Sequence, residues 1–259
     1  MLIKEIIKNR LFFNSANLGK LDDCFKETDN LREYVHKADI LFSSQNFDTS
    51  LATRTGVINA FLSAIIDYAK AACDNIYLGH FSSANTLCRI IIENAVCLYA
   101  MTQNEPLWEL WLIHSIEKAG RLECKLRKDT PKNETIFDTF KTTYQISAEY
   151  QQVLQKSSSN YRWAYQYIGQ GRYTFKALAD KVDSRIYKDF SHLSDFSHGA
   201  SATQLFDRSI FAESQHYQLT AIAKYVQMAF DDSQPDLADI LREDYYAFYD
   251  SLICSDAPC

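Results

Sequence analysis

LATRTGVINAFLSAIIDYAKAACDNIYL, residues 51–78, is the stretch on which the fold turns. Val57, Phe61, Ile65, Tyr68, Ala72 and Ile76 recur in it at steps of three and four. That spacing lays them along one side of a helix of about seven turns. So long a stripe needs a large partner surface, and it reads as a core helix. Gly79 and His80 punctuate the pattern, with Ser82 or Ser83 available to cap a second helix that runs to about Met101. In this second helix Leu87, Ile90, Ile91, Ile92, Ala95, Val96, Cys97 and Leu98 point almost all round the axis, the mark of a buried helix. With so short a connection, the two are expected to form an antiparallel pair at the centre of an all-α, multi-helix bundle.

The flanking sequence fits the same class. Residues 21–42 alternate charged and apolar side chains at helical spacing, and 43–49 break the pattern. On the other side, Pro106 suits the first turn of a helix carrying Trp108, Trp111, Leu112, Ile116 and Leu122, which ends in Lys125, Arg127 and Lys128, a solvated and cation-rich C-terminus. Further helices are predicted over 134–156, 174–181, 185–198, 211–230 and 236–252. Between them lie the turn-rich Ser157-Ser158-Ser159-Asn160 and Gly169-Gln170-Gly171, and Gly199 is a natural stop. Only 7 Gly and 4 Pro are present, too few for the hairpins of a β-rich fold. The expected organisation is an N-terminal helical extension over 1–50, a bundle core over 51–205 and C-terminal helices over 206–259 packed on that core.

Charge and cysteine usage exclude several classes. A formal charge of −6 removes any global attraction to nucleic acid or anionic lipid, so general DNA coating is not expected. The 7 cysteines are odd in number and lack C-x-x-C spacing, which reads as reduced thiols in a cytosol. Lys4, Glu5, Lys8 and Arg10 interrupt the apolar residues of 1–13, and Arg89 and Glu93 interrupt 84–101, so neither reads as a leader or a membrane span. A cytoplasmic protein without a membrane segment is the expectation. His36, His80, His114 and His216 read as having no carboxylate or Cys at metal spacing on the same turn, so neither a metal nor a cofactor is expected. The 16 Tyr and 16 Phe, at helical spacing, read as core.

Two constellations could carry chemistry. Arg89 and Glu93 lie four residues apart inside the most apolar helix, where unpaired charges would cost several kcal/mol each, roughly the penalty of a buried ion. Arg preceding Glu is the weaker i,i+4 order, so a mutual salt bridge explains the pair poorly. A polar network tying helices together and a functional pocket both remain open. The second constellation is Arg185-Ile186-Tyr187-Lys188-Asp189-Phe190-Ser191-His192-Leu193-Ser194-Asp195-Phe196-Ser197-His198. As one helix it places Tyr187, Ser191, Ser194 and His198 on one stripe and Arg185, Asp189, His192 and Phe196 on another. Ser194 and His198 stand one turn apart near the helix end, where the dipole favours protonated imidazole and suits a general acid or an anion contact. A histidine that merely caps the helix is the alternative.

The Arg89-x-x-x-Glu93 helix and the later Leu193-Ser194-x-x-x-His198 segment, with Trp163, Ala177-Leu178-Ala179 and Tyr187 before it, resemble a bacterial all-helical family of unknown function. The resemblance spans roughly residues 51–199 and implies no activity. More widely, Arg185 and His192, with six residues between, resemble the motif of HEPN proteins, helical bundles that include metal-independent ribonuclease toxins and phage-defence effectors. Ile186 departs from that motif, which usually has a polar residue after the Arg. The wider resemblance implies an endoribonuclease in which His198 or His192 exchanges protons, Arg89 or Arg185 stabilises the phosphorane and Glu93 orients the base. RNA would then be the substrate, and a homo-oligomer or a partner protein is expected. The alternative is a non-enzymatic binding or regulatory protein whose polar pocket takes a small anionic ligand or a partner.

Overall fold

The structure is a computed structural model. It describes residues 18–48, 50–126, 147–169, 171–198 and 208–255; the side chains of 18–24, 120–126, 148, 151, 154–155, 195–198, 208–214 and 253–255 lie outside that set. Helix α1 spans Leu18–Ser44, α2 Arg54–Tyr77, α3 Phe81–Gln103 and α4 Leu107–Leu126. Then come α5 (Ala148–Lys156), a 3₁₀ turn (Arg162–Ala164) running into the single turn α6 (Tyr165–Ile168), α7 (Phe175–Val182), α8 (Ile186–His198), α9 (Arg208–Ser233) and α10 (Pro235–Ser255). No strand occurs among the described residues, and the expected all-α bundle with a central helix pair is what the chain forms.

Local chemistry sets the central pair. Thr53 Oγ1 accepts from the Gly56 backbone N–H at 2.9 Å and caps α2. Gly56 is required there, because a Cβ would stand 1.8 Å from the Ser50 carbonyl oxygen. At the other end Gly79, with φ +76°, adopts the left-handed conformation that lets the chain reverse at once. So tight a turn restarts the helix at Phe81, and neither Ser82 nor Ser83 is its N-cap, contrary to expectation: the His80 carbonyl accepts from Ala84 N–H at 3.0 Å with no side-chain cap. Arg54 confirms the antiparallel run by donating to the carbonyls of Met101 (3.2 Å) and Thr102 (2.7 Å), placing a cation on the last turn of α3.

Helix α3 is the hub, packed by α2, α9, α8, α7 and α4. Leu62, Ile65, Ile66, Ile91, Ile92 and Leu98 are fully buried between the pair and its neighbours, each contributing on the order of 2 kcal/mol by leaving water. Buried amides set the register of α9: Gln218 donates to Asn85 at 2.7 Å, Gln215 to Thr28 at 3.1 Å, and Gln227 accepts from the Tyr34 hydroxyl at 3.0 Å. Helices α1 and α10 run antiparallel, joined by the Lys37–Asp244 ion pair and by Asn30 donating to Ser251.

Residues 21–42 lie within one continuous helix, Leu18–Ser44. Of the helix predicted over 134–156, only 147–156 falls among the described residues; there the helix starts at Ala148, with Ser147 as its N-cap. The helical turns over 162–168 are a feature no periodicity announced, being too short to show one. Helix α2 is long and apolar enough to cross a membrane by length and composition, but 61% of its most apolar window is buried by the surrounding helices, as in a bundle core.

Candidate functional site

Arg89 and Glu93 occupy the one flank of α3 that its neighbours leave half-buried. The Glu93 carboxylate accepts a hydrogen bond from the Tyr161 hydroxyl. Burial raises the Glu93 carboxyl above the ordinary glutamate range, partly opposed by that bond and by the charges of Arg89 and Lys118. Burial and the adjacent carboxylate drive the Tyr161 hydroxyl far up, so it stays protonated and keeps donating. The Arg89 guanidinium lies 4.6 Å from the ring centre of Phe190 on α8. Phe190 packs 4.4 Å from Phe175 on α7, and Phe175 lies 5.7 Å from Tyr161. The circuit closes on itself: α3 supplies an acid and a cation, while α7, α8 and the segment before the 3₁₀ turn supply aromatic walls and a proton donor.

Tyr161 is held from behind by a buried cluster. Its backbone N–H donates to Ser159 Oγ at 3.1 Å. The next residue, Arg162, donates to the Ser157 carbonyl at 2.6 Å and to His114 Nδ1 at 3.3 Å, and forms an ion pair with Glu117. Arg162, Glu117 and His114 are only 4%, 3% and 6% exposed. This corrects the reading of His114 as lacking a carboxylate on its turn: Glu117 stands three residues on, and Arg162 takes both. The Arg162 cluster is therefore closed to solvent, while the Arg89 flank is half-open.

The two stripes of α8 face different neighbours. Ile186, Phe190 and Leu193 turn inward between them. On one side Tyr187 stacks toward Phe190 at 6.2 Å and lies under Lys176 of α7 at 5.2 Å. On the other, Asp189 accepts from Tyr217 (2.9 Å), Tyr225 (2.7 Å) and Lys224 (2.7 Å), all on α9. Burial alone would raise the Asp189 carboxyl, yet these donors hold it below the usual range. Arg185 is 79% exposed and ion-paired with Asp183 at 2.6 Å, which lowers the Asp183 carboxyl to about 2. His192 is exposed, its ring 4.4 Å from that of Tyr217.

Of the candidate residues, Arg89 and Glu93 thus share a site with Tyr161 and Phe190, which sequence reasoning missed. Arg185 and His192 sit on the α9 side of α8, about 10 Å apart along its axis at 1.5 Å per residue, with Asp189 between them. Ser194 is half-buried on α8; His198 closes that helix, but its side chain lies outside the described residues. Among the described residues no three His, Cys, Asp or Glu side chains converge as a metal site requires.

A helical bundle with an acid, a cation and a tyrosine gathered on its central helix is the class these observations define. The chain belongs to the family described as "Family of unknown function (DUF5677)", whose model matches residues 55–217, from α2 into α9 and across the whole site. The expected membership of an uncharacterised family is met, and the description assigns no activity. No curated protein and no solved structure matches the chain.

Proposed function

We propose that the protein is a metal-independent endoribonuclease of HEPN-like type, the toxic effector of a bacterial phage-defence or toxin system, acting at Arg89 and Glu93. The observation that carries the reading is the half-open flank of α3, where a carboxyl raised by burial, a tyrosine hydroxyl and a guanidinium meet without being closed off. Glu93 takes the proton of the ribose 2′-hydroxyl, whose oxygen attacks phosphorus. Arg89 stabilises the charge gathered on the phosphorane, and the departing 5′-oxygen receives a proton from an acid, the role assigned to His198 beyond Ser194 on α8. The products are a 2′,3′-cyclic phosphate and a 5′-hydroxyl. Tyr161 holds the Glu93 carboxylate in place.

The second reading is a binding or regulatory protein that seats a small anion at the same flank. It is favoured by the way Arg89 and Glu93 are already oriented by Phe190 and Tyr161, and by the net negative charge of the chain. Expression of wild-type protein in a bacterial host beside Arg89→Ala, Glu93→Gln and His198→Ala, with RNA ends mapped and folding checked by circular dichroism, separates the two. Growth arrest with cyclic-phosphate ends, lost in a folded Glu93→Gln protein, supports the ribonuclease. Normal growth and uncut RNA under a folded wild-type protein refute it in favour of anion binding.

A further inference from the structure

The chain is acidic overall, yet the surface of α7 and α8 is not. Between residues 172 and 192 five cations, Arg172, Lys176, Lys181, Arg185 and Lys188, face three carboxylates, Asp180, Asp183 and Asp189. Those carboxylates are taken by Lys176, Arg185 and Lys224, whereas Arg172, Lys181 and Lys188 are exposed and have no ion pair among the described residues. A local excess of positive charge therefore sits on a molecule of net charge −6. Arg185, just before α8, and Lys188 and His192 on it follow one another at steps of three and four and are all exposed, so they line its solvent-facing edge beside α9. Rings flank that line: half-buried Tyr187 beneath Lys176 on one side, and half-buried Tyr217 beside His192 on the other. Tyr187 also touches Phe190, on which Arg89 rests, so the strip leads to the flank of α3.

We infer that this strip across α8, running from Lys176 and Tyr187 over Lys188 to His192 and Tyr217, is a binding track for single-stranded RNA, with the cations on phosphates and the ring faces on bases. The assignment rests on the ribonuclease reading for its substrate class, and it gives Arg185 and His192 a place in substrate binding. Alternating cations and half-exposed rings match a strand whose bases are unstacked, because every base offers a face to stack while the phosphates repeat at regular intervals. A duplex hides its base faces and offers the rings nothing.

The test uses full-length Glu93→Gln protein, which cannot turn over, and a fluorescein-labelled mixed-sequence 12-nucleotide RNA, read by anisotropy across a salt series. Tight binding at low salt is expected, weakening steeply as salt rises. Lys176→Glu with Lys188→Glu should weaken it about tenfold or more at 50 mM salt and flatten the salt slope by roughly 1.4, at 0.7 per phosphate contact. Tyr187→Ala should cost about tenfold, and Tyr187→Phe little. The exposed Lys26→Glu, the same charge change on α1, should leave affinity within about twofold. Absence of binding, equal loss with Lys26→Glu, or equal binding of the matching RNA duplex or of polyglutamate would overturn the track. Binding with this pattern but no cleavage by wild type would overturn the ribonuclease reading alone; cleavage of the 12-mer with KM unmoved in the lysine variant would overturn the track alone.

Discussion

Arg162 offers the sharpest stability test, because it and its side-chain partners Glu117 and His114 are all buried. Arg162→Met removes a guanidinium that donates to the Ser157 carbonyl and to His114 and forms an ion pair with Glu117. Glu117, 3% exposed, is then left as a charge without its counter-ion. Stranding a buried ion costs about 3–5 kcal/mol, against a total stability on the order of 5–15 kcal/mol for a domain. Urea titration followed by circular dichroism should therefore show a midpoint drop of about a fifth or more with an unchanged slope. Arg162→Lys should fall between, since an ammonium cannot present the planar fork that reaches three acceptors at once. Removing both charges, Arg162→Met with Glu117→Met, should recover about half of the loss or more, because no buried charge is stranded and only the Ser157 carbonyl and His114 Nδ1 lose a donor. A single variant within about 1 kcal/mol of wild type, or a double variant as unstable as the single, would show that the pair is not the closed ion pair described.

Gly56→Ala should destabilise by at least about 1–3 kcal/mol, the range for overpacking, because its Cβ would meet the Ser50 carbonyl oxygen at 1.8 Å; an unchanged melting temperature would refute the close approach. Asp232, whose Oδ2 is buried without a hydrogen-bond partner, has its carboxyl pushed up to about 7 by burial and by Asp231. A carboxyl raised in the folded state holds its proton more tightly there than in the unfolded chain, so wild type loses stability as pH rises from about 4 to about 7. Asp232→Asn should melt higher than wild type at about pH 8 and no higher at about pH 3.5, and an equal gap at both would exclude this titration as the cause. Cys73, Cys88 and Cys97 are buried, and burial pushes the Cys73 thiol up to about 12 and the other two higher still, so native protein should leave all three unlabelled by iodoacetamide until it unfolds. Labelling at the rate of a free thiol under native conditions would contradict that packing.

What the residues by themselves determined is the scaffold. Steps of three and four over 51–78 and an all-round apolar helix over 84–101 could be satisfied only by a helix pair sunk among other helices, since no other arrangement buries both surfaces. Arg89 and Glu93 stood out for the same reason, as charges in an apolar helix that need water or a polar partner. Tertiary structure alone decided their company. Tyr161 follows a turn of small polar residues and carries no periodic signal; it reaches Glu93 because Arg162 is pinned to α4 by Glu117 and His114, 45 and 48 positions earlier in the chain. Phe190, which reads as one apolar residue among many, supports Arg89 because Ile186, Phe190 and Leu193 are the face α8 buries, leaving Asp189 and His192 to α9. Helical periodicity fixes which residues share a face, since that follows from bond geometry within one segment. Which face meets which is set by the summed packing of all the helices, and no short window of sequence contains that sum.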